Sequence, residues 1–267
     1  MLLEHKTAVI YGAAGAIGGA VARAFAHEGA DLFLAGRTRA RVESVAGEIS
    51  AAGGVAEAAE VDALDEDAIE KHMDHVVARA QKIDVLFNPI GMDDVQGTLL
   101  VDMSAEDFAQ PVIKATRTQF LTARAAARRM LQQGSGVIMS ITVAPTPVPH
   151  HGGYGVACAA VEGLGRSFAA ELPSMRTTPV SRRTAVVERL PALPPRPRTI
   201  PRPTVVRVGV AFAIGDLSEA GESQSIPLVN LARVLTGGVL TLLGARVRVR
   251  RIETGKAIFR SEPAPGP

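Results

Sequence analysis

The chain has 267 residues, 47% hydrophobic and 4% aromatic, with no Trp and a single Cys, Cys158. That length suits one large domain or two small ones with an ample core; one cysteine excludes an internal disulfide, and no His/Cys spacing matches a zinc site. The net charge of +2 conceals a division, because residues 1–175 carry 14 Lys+Arg against 21 Asp+Glu while residues 176–267 carry 15 against 6.

The opening Met1-Leu2-Leu3-Glu4-His5-Lys6 has no apolar signal core, and the apolar stretch Val234 to Ala245 is too short to span a bilayer. A soluble, cytoplasmic protein with no membrane partner is expected. Thr7 to Tyr11 is a β-branched run that leads into Gly12-Ala13-Ala14-Gly15-Ala16-Ile17-Gly18-Gly19, after which Ile17, Val21 and Phe25 recur every four residues. Strand, tight turn and helix are predicted in that order. Such a turn holds a pyrophosphate. Gly12 lets the backbone leave the strand sharply, Gly15 and Ala16 keep side chains out of the ligand's way, and Gly18 lets the helix approach the sheet. The helix N-terminus then presents unpaired N–H groups to an anion.

A second strand, Asp31 to Ala35, ends in Gly36-Arg37-Thr38, and helical spacing follows from Arg39 to Ala52. A third strand, Val55 to Val61, leads into Asp62, and an amphipathic helix spans Glu66 to Gln81. The fourth strand, Ile83 to Phe87, is followed by Asn88-Pro89-Ile90-Gly91. A long helix from Ala105 to Leu131, a fifth strand from Val137 to Val143, a Pro-rich loop from Ala144 to Gly153 and a helix from Tyr154 to Leu172 complete the series. This alternation predicts an α/β fold, a Rossmann-like doubly wound parallel sheet whose ligands sit at the carboxyl ends of the strands. Gly12, Arg37, Asp62 and Asn88 all fall at those ends.

The rhythm stops near residue 175. From Arg176 to Arg207 there are eight Arg and seven Pro with one acid, Glu188, which is the composition of a linker. Residues 1–175 therefore form the expected dinucleotide-binding domain, 176–207 an irregular linker, and 208–267 a segment with apolar runs at Val210 to Ile214 and Val239 to Leu243. A shifted reading frame in a GC-rich gene would also produce this sudden gain of Arg and Pro. The Arg-rich segment has no interleaved aromatics, which argues against a nucleic-acid partner.

Across residues 5–175 the order of features resembles the short-chain dehydrogenase/reductase family. Gly12-x-x-x-Ala16-Ile17-Gly18 is similar to that family's T-G-x-x-x-G-x-G, with Tyr11 for Thr and Ala16 for the middle Gly. Asp62 resembles the acid that contacts the adenine, Asn88-Pro89-Ile90-Gly91 resembles N-N-A-G, and Tyr154 stands where the family's catalytic Tyr begins a helix. The resemblance implies an NAD(P)-dependent oxidoreductase acting on a small carbonyl or alcohol substrate. It also implies a homo-oligomer, since helices 105–131 and 154–172 are similar to those that pair across family dimers. Ala-Gly-Arg-Thr at the end of the second strand resembles NADP-preferring members, in which the Arg pairs with the 2′-phosphate where NAD users carry an acid. NADP is the expected cofactor and NAD the alternative.

The catalytic set departs from the family pattern. Four residues after Tyr154, where the family has Lys, stands Cys158. The Ser position falls on Val143, with Thr142 beside it and Ser140 nearby, and the Asn position is Ala115. An unassisted Tyr has a pKa of about 10, so about one in a thousand is phenolate at pH 7. It is handicapped as a base but already in the right form as an acid. Tyr154 is the expected proton donor, with Thr142 or Ser140 orienting the substrate oxygen. The alternative is a catalytically weak or silent dinucleotide-binding protein. Cys158 reads as a small apolar filler, and the adjacent His150 and His151 as solvated loop residues.

Overall fold

The computed structural model describes residues 1–143 and 150–172 and, beyond them, the backbone of four strands. β1 (Thr7–Tyr11) is buried throughout and alternates its side chains between two cores. Ala8 and Ile10 face one, built with Val21 and Phe25 of α1 (Ala16–His27) and Val42, Val45 and Ile49 of α2 (Arg39–Ala51). Val9 and Tyr11 face the other, built with Ile69, Met73 and Val76 of α3 (Glu66–Ala80) and Leu121, Ala125 and Met130 of α4 (Ala105–Gln133). Helices thus cover both faces of one sheet, as the alternating pattern predicts.

With β2 (Asp31–Gly36), β3 (Val55–Glu60), β4 (Val85–Asn88) and β5 (Gly136–Ser140), the order is β3-β2-β1-β4-β5 and every pairing is parallel. This is the Rossmann-like α/β arrangement, with its reversal between β1 and β4. Helix ends follow local chemistry. Asp65 and Ser104 cap α3 and α4 by accepting from Ala68 N and Asp107 N, and Gln81 and Gly134 close them in the left-handed conformation. Arg124–Glu66, Arg128–Glu70 and Arg129–Asp74 pairs tie α4 to α3.

Two predicted strand boundaries shift by more than one residue. The fourth strand starts at Val85, because the Gln133 side chain takes both the N–H and the carbonyl of Ile83. The fifth ends at Ser140, whose register partner Asn88 is the last residue of β4; Pro89 has no N–H with which to continue the ladder. Thr142–Val143, expected to prolong that strand, instead forms β6, which pairs antiparallel with β7 (Val206–Arg207).

Beyond residue 175 the described backbone consists of short strands. β8 (Ala211–Ile214), within the apolar run beginning at Val210, joins the sheet beside β5 in the antiparallel sense. β9 (Arg246–Glu253) and β10 (Lys256–Glu262) form an antiparallel pair of their own. The remainder of the 176–207 linker and the Val239 to Leu243 run lie outside the described residues. Among the described residues no helix is long and apolar enough to cross a membrane.

Candidate functional site

The turn between β1 and α1 is built by close backbone contact. Gly12 has φ +69, and a Cβ there would stand 3.1 Å from Ile90 Cγ1. At Gly18 a Cβ would stand 2.2 Å from the Gly12 carbonyl oxygen, so only glycine fits. Gly15 N donates to Gly12 O at 3.0 Å and Ala13 N to Ala35 O at 3.2 Å, fixing the turn on itself and on β2. Gly15 and Ala16 are exposed and Ile17 half-buried. Unlike α3 and α4, α1 has no side-chain cap and no acid in its first turn. Its first N–H groups are therefore open to an anion, and the residues present fit the pyrophosphate of a dinucleotide.

The expected cofactor-binding residues at the ends of the parallel strands differ in their degrees of freedom. Arg37, just past β2, is exposed and makes no ion pair among the described residues, whereas nearby Arg39 is held by Glu43 at 2.7 Å. Asp62 is exposed and folds back to accept from Leu64 N at 3.0 Å. Gly91 is exposed beyond the Ile90 that contacts Gly12. Asn88 is 1% exposed, and its side chain is fully engaged inside the protein. Its Nδ2 donates to Thr118 O and Thr122 Oγ1, and its Oδ1 accepts from Ile90 N. Asn88 thus pins the segment facing Gly12 onto α4 and shapes the cradle from behind.

The second half of the site lies at the start of α5 (Tyr154–Glu171). Tyr154 is half-buried, with its ring against an apolar cluster that includes Met92, Val112, Ala115 and Cys158. Burial, the neighbouring Cys158 and the carboxylate of Asp94 push its phenol up to about 12. The hydroxyl also hydrogen-bonds to Cys158, one helical turn on. Ser140 and Thr142 turn elsewhere. Ser140 Oγ donates to Gln119 Oε1 at 2.9 Å, and Gln119 Nε2 donates to Asn88 O. Thr142 Oγ1, buried, donates to Glu162 Oε1 at 3.0 Å. Among the described residues neither hydroxyl bonds to Tyr154.

Pattern reading misses a clasp between the loop after β4 and the residues before α5. Gly97 N donates to His150 O at 2.8 Å, and a Cβ on Gly152 would be within 3 Å of the Met103 side chain. Asp93 and His150 hold left-handed backbones, at φ 57 and 64. The clasp places His151 Nδ1 3.7 Å from Asp94 Oδ2 and the His151 ring 6.1 Å from that of Tyr154. Lys114, also unremarked in the sequence, pairs with Asp93. These residues are far apart along the chain and match no motif, so no local signal identifies them. Among the described residues no group of three His, Cys, Asp or Glu stands together as a metal site requires.

A family model described as enoyl-(acyl carrier protein) reductase matches residues 12–180. The chain belongs to the short-chain dehydrogenase/reductase family. A short chain dehydrogenase of Pseudocercospora fijiensis is 33% identical over 173 residues, 64% of this chain and 56% of that protein. The L-rhamnose 1-dehydrogenase (NAD(P)(+)) of Azotobacter vinelandii is 38% identical over 140 residues, 51% and 54% of the two chains. The chain thus spans little more than half the length of these curated relatives. A metagenomic short-chain oxidoreductase solved in complex with NADP superposes with a TM-score of 0.59 at 31% identity, covering 64% of this chain and 78% of that one. Short-chain dehydrogenase/reductases are oxidoreductases that bind NAD(P). Cys158 and Ala115, expected from the sequence at the places of the family's Lys and Asn, are both 3% exposed.

Proposed function

We propose that this protein reduces a small carbonyl compound with a nicotinamide dinucleotide, NADPH in preference to NADH. The observation that carries the reading is Tyr154. Its phenol is half-buried at the start of α5, and burial pushes it from its ordinary value, already neutral at physiological pH, up to about 12. A neutral phenol is an acid, and the carbonyl oxygen gains basicity as it accepts a hydride. The alkoxide that forms is about as basic as hydroxide, whose conjugate acid has a pKa of about 15.7, so proton transfer from Tyr154 runs downhill. The bound dinucleotide would supply the hydride. The residues that would hold it are the α1 N-terminus for the pyrophosphate, Arg37 for a 2′-phosphate and Asp62 for the adenine edge, with Gly91 leaving room beside the cradle.

Arg37, exposed and unpaired among the described residues, supports the NADP preference, as does the NADP carried by the metagenomic relative. Pairing of copies through α4 and α5 is part of the same reading and is supported by the exposed Ile113, Phe120 and Val156 on those helices. The test is fluorescence titration with NADPH, followed by cofactor consumption across a panel of ketones and sugars. Turnover that disappears in Tyr154→Phe is expected; binding with no turnover in either protein overturns the reductase.

A second reading, a silent dinucleotide binder, is favoured by the orientation of Ser140 and Thr142, whose hydroxyls are donated to Gln119 and Glu162. The family match ending at residue 180, beside the onset of the Arg/Pro-rich stretch, favours a frame-shifted tail within that reading. Translating the neighbouring frames of the gene tests it: a frame restoring a hydrophobic strand after Leu172 is expected.

A further inference from the structure

Tyr154 must recover a proton after each turnover, and the apolar cluster it packs against offers no route among the described residues. Met92, Val112 and Ala115 belong to that cluster, and Cys158 and Ala115, where the family has Lys and Asn, are both 3% exposed. Near the Tyr154 ring also stands His151, whose side chain is 35% exposed to solvent, backed by Asp94, whose side chain is 13% exposed. Their arrangement is built into the fold. The Gly97–His150 backbone bond and the tight fit of Gly152 against Met103 hold the two loops together, and Tyr154 N donates to His151 O at 3.0 Å.

We propose that His151, positioned by Asp94, is the proton-entry group that returns Tyr154 to its neutral form, replacing the relay that Ala115 and Cys158 cannot form. This rests on the reading of Tyr154 as proton donor in an NAD(P)H-dependent carbonyl reduction. The balance is simple: the carbonyl carbon gains a hydride from the nicotinamide, and its oxygen gains the Tyr154 proton. The imidazolium of His151 then protonates the phenolate, and solvent reprotonates the imidazole. The net uptake is one hydride and one solvent proton per carbonyl reduced. The two rings lie 6.1 Å apart between centroids and are tilted by 51°, and a bridging water can carry a proton between groups that do not touch directly.

The other ionisable groups that the described residues place around this corner have partners or lie at the surface. On α4, Lys114 is paired with Asp93 of the same loop; on α5, Glu162 accepts from Thr142, and Cys158 bonds to Tyr154. His150 is turned to the surface with its carbonyl in the clasp. Among the described residues His151 is the imidazole that neighbours both Asp94 and Tyr154. Its side chain can be removed without touching the clasp, since the His151 group that bonds to Tyr154 is backbone.

The test pairs a structural readout with a kinetic one. In NMR spectra of the cofactor-free protein the His151 ring resonances should move in Asp94→Asn and in Tyr154→Phe. Reductase turnover of His151→Ala should fall about tenfold or more and recover on addition of imidazole, which a purely structural role would not allow. Ring resonances unmoved in both variants overturn the relay, and so does a His151→Ala enzyme that keeps full turnover. If the wild-type protein reduces no carbonyl at all, the proposed function fails separately, and the ring resonances still decide whether the three residues are in contact.

Discussion

Gly18 packs so closely on Gly12 that a Cβ at position 18 would stand 2.2 Å from the Gly12 carbonyl oxygen. Backbone cannot yield there as a flexible side chain would. Gly18→Ala should therefore push α1 away from the turn, cost about 1–3 kcal/mol and weaken NADPH binding by about tenfold or more, read by thermal denaturation and fluorescence titration. Gly47→Ala is the matched control. Gly47 lies within α2 with nothing within 4 Å of an added Cβ, so this change should stabilise by about 0.5–1 kcal/mol and leave binding unchanged.

Arg37 tests cofactor choice. Charge-assisted hydrogen bonds contribute about 1.5–3 kcal/mol, so Arg37→Ala should raise the Kd for NADPH by about 10- to 100-fold and leave that for NADH nearly unchanged. Arg39→Ala, whose guanidinium is occupied by Glu43, should change neither by more than about twofold. Equal effects of the two substitutions on NADPH would remove the case for a 2′-phosphate contact.

Tyr11 and His72 form a buried pair on the far side of the sheet, hydroxyl to Nδ1 at 3.0 Å. Burial holds the imidazole down to about 4, against an ordinary value of about 6.5 in the unfolded chain. The unfolded state therefore binds more protons between those values, and stability falls as pH drops from 6.5 toward 4. The full loss is about 3 kcal/mol. Denaturant titrations at pH 7.5, 5.5 and 4.5 should follow this slope, and it should flatten in His72→Phe. Tyr11→Phe should cost about 1–3 kcal/mol by leaving Nδ1 without its partner.

Asn88 is the pin between β4 and α4. Asn88→Leu would leave Ile90 N without its partner and remove the donor to Thr118 O and Thr122 Oγ1, which keep their bond to each other. A loss of about 2–4 kcal/mol is expected, together with weaker dinucleotide binding, because Ile90 is what Gly12 rests on. Destabilisation with unaltered binding per folded molecule would show that the pin does not shape the cradle.

What the sequence makes legible follows from the range of the forces involved. The Gly12–Gly18 turn can be read because backbone sterics act within a few residues, and the strands because runs buried on both faces, such as Thr7–Tyr11 and Val85–Asn88, are continuously apolar or β-branched and stop at turn residues. The commitment of Asn88 to α4 cannot be read, since its partners lie about 30 residues away along the chain. The same holds for Tyr11 with His72, separated by 61 positions. The His151–Asp94 neighbourhood depends on a clasp between two loops with no periodicity of their own. Even the end of β5 was set at a distance, by the missing N–H of Pro89 on the neighbouring strand.

Position 158 decides which direction of chemistry this site favours. With its phenol pushed up to about 12, Tyr154 is phenolate in only about one molecule in 100,000 at pH 7. Alcohol oxidation, which needs that phenolate as base, should rise about tenfold per pH unit from 7 to 10, whereas carbonyl reduction, which needs the neutral phenol, should gain nothing from the same change. Cys158→Lys would place an ammonium one turn from Tyr154 and remove the thiol that now helps raise its pKa. An opposite charge at that range lowers a phenol's pKa by about 1–3 units. Oxidation at pH 7 should then increase about 10- to 1,000-fold. The protein has two tyrosines and no Trp, and burial raises Tyr11 further than Tyr154. The first tyrosinate absorbance step in a pH titration therefore belongs to Tyr154, and it should move to lower pH in Cys158→Lys; a step that stays in place would show that the new ammonium does not reach the phenol.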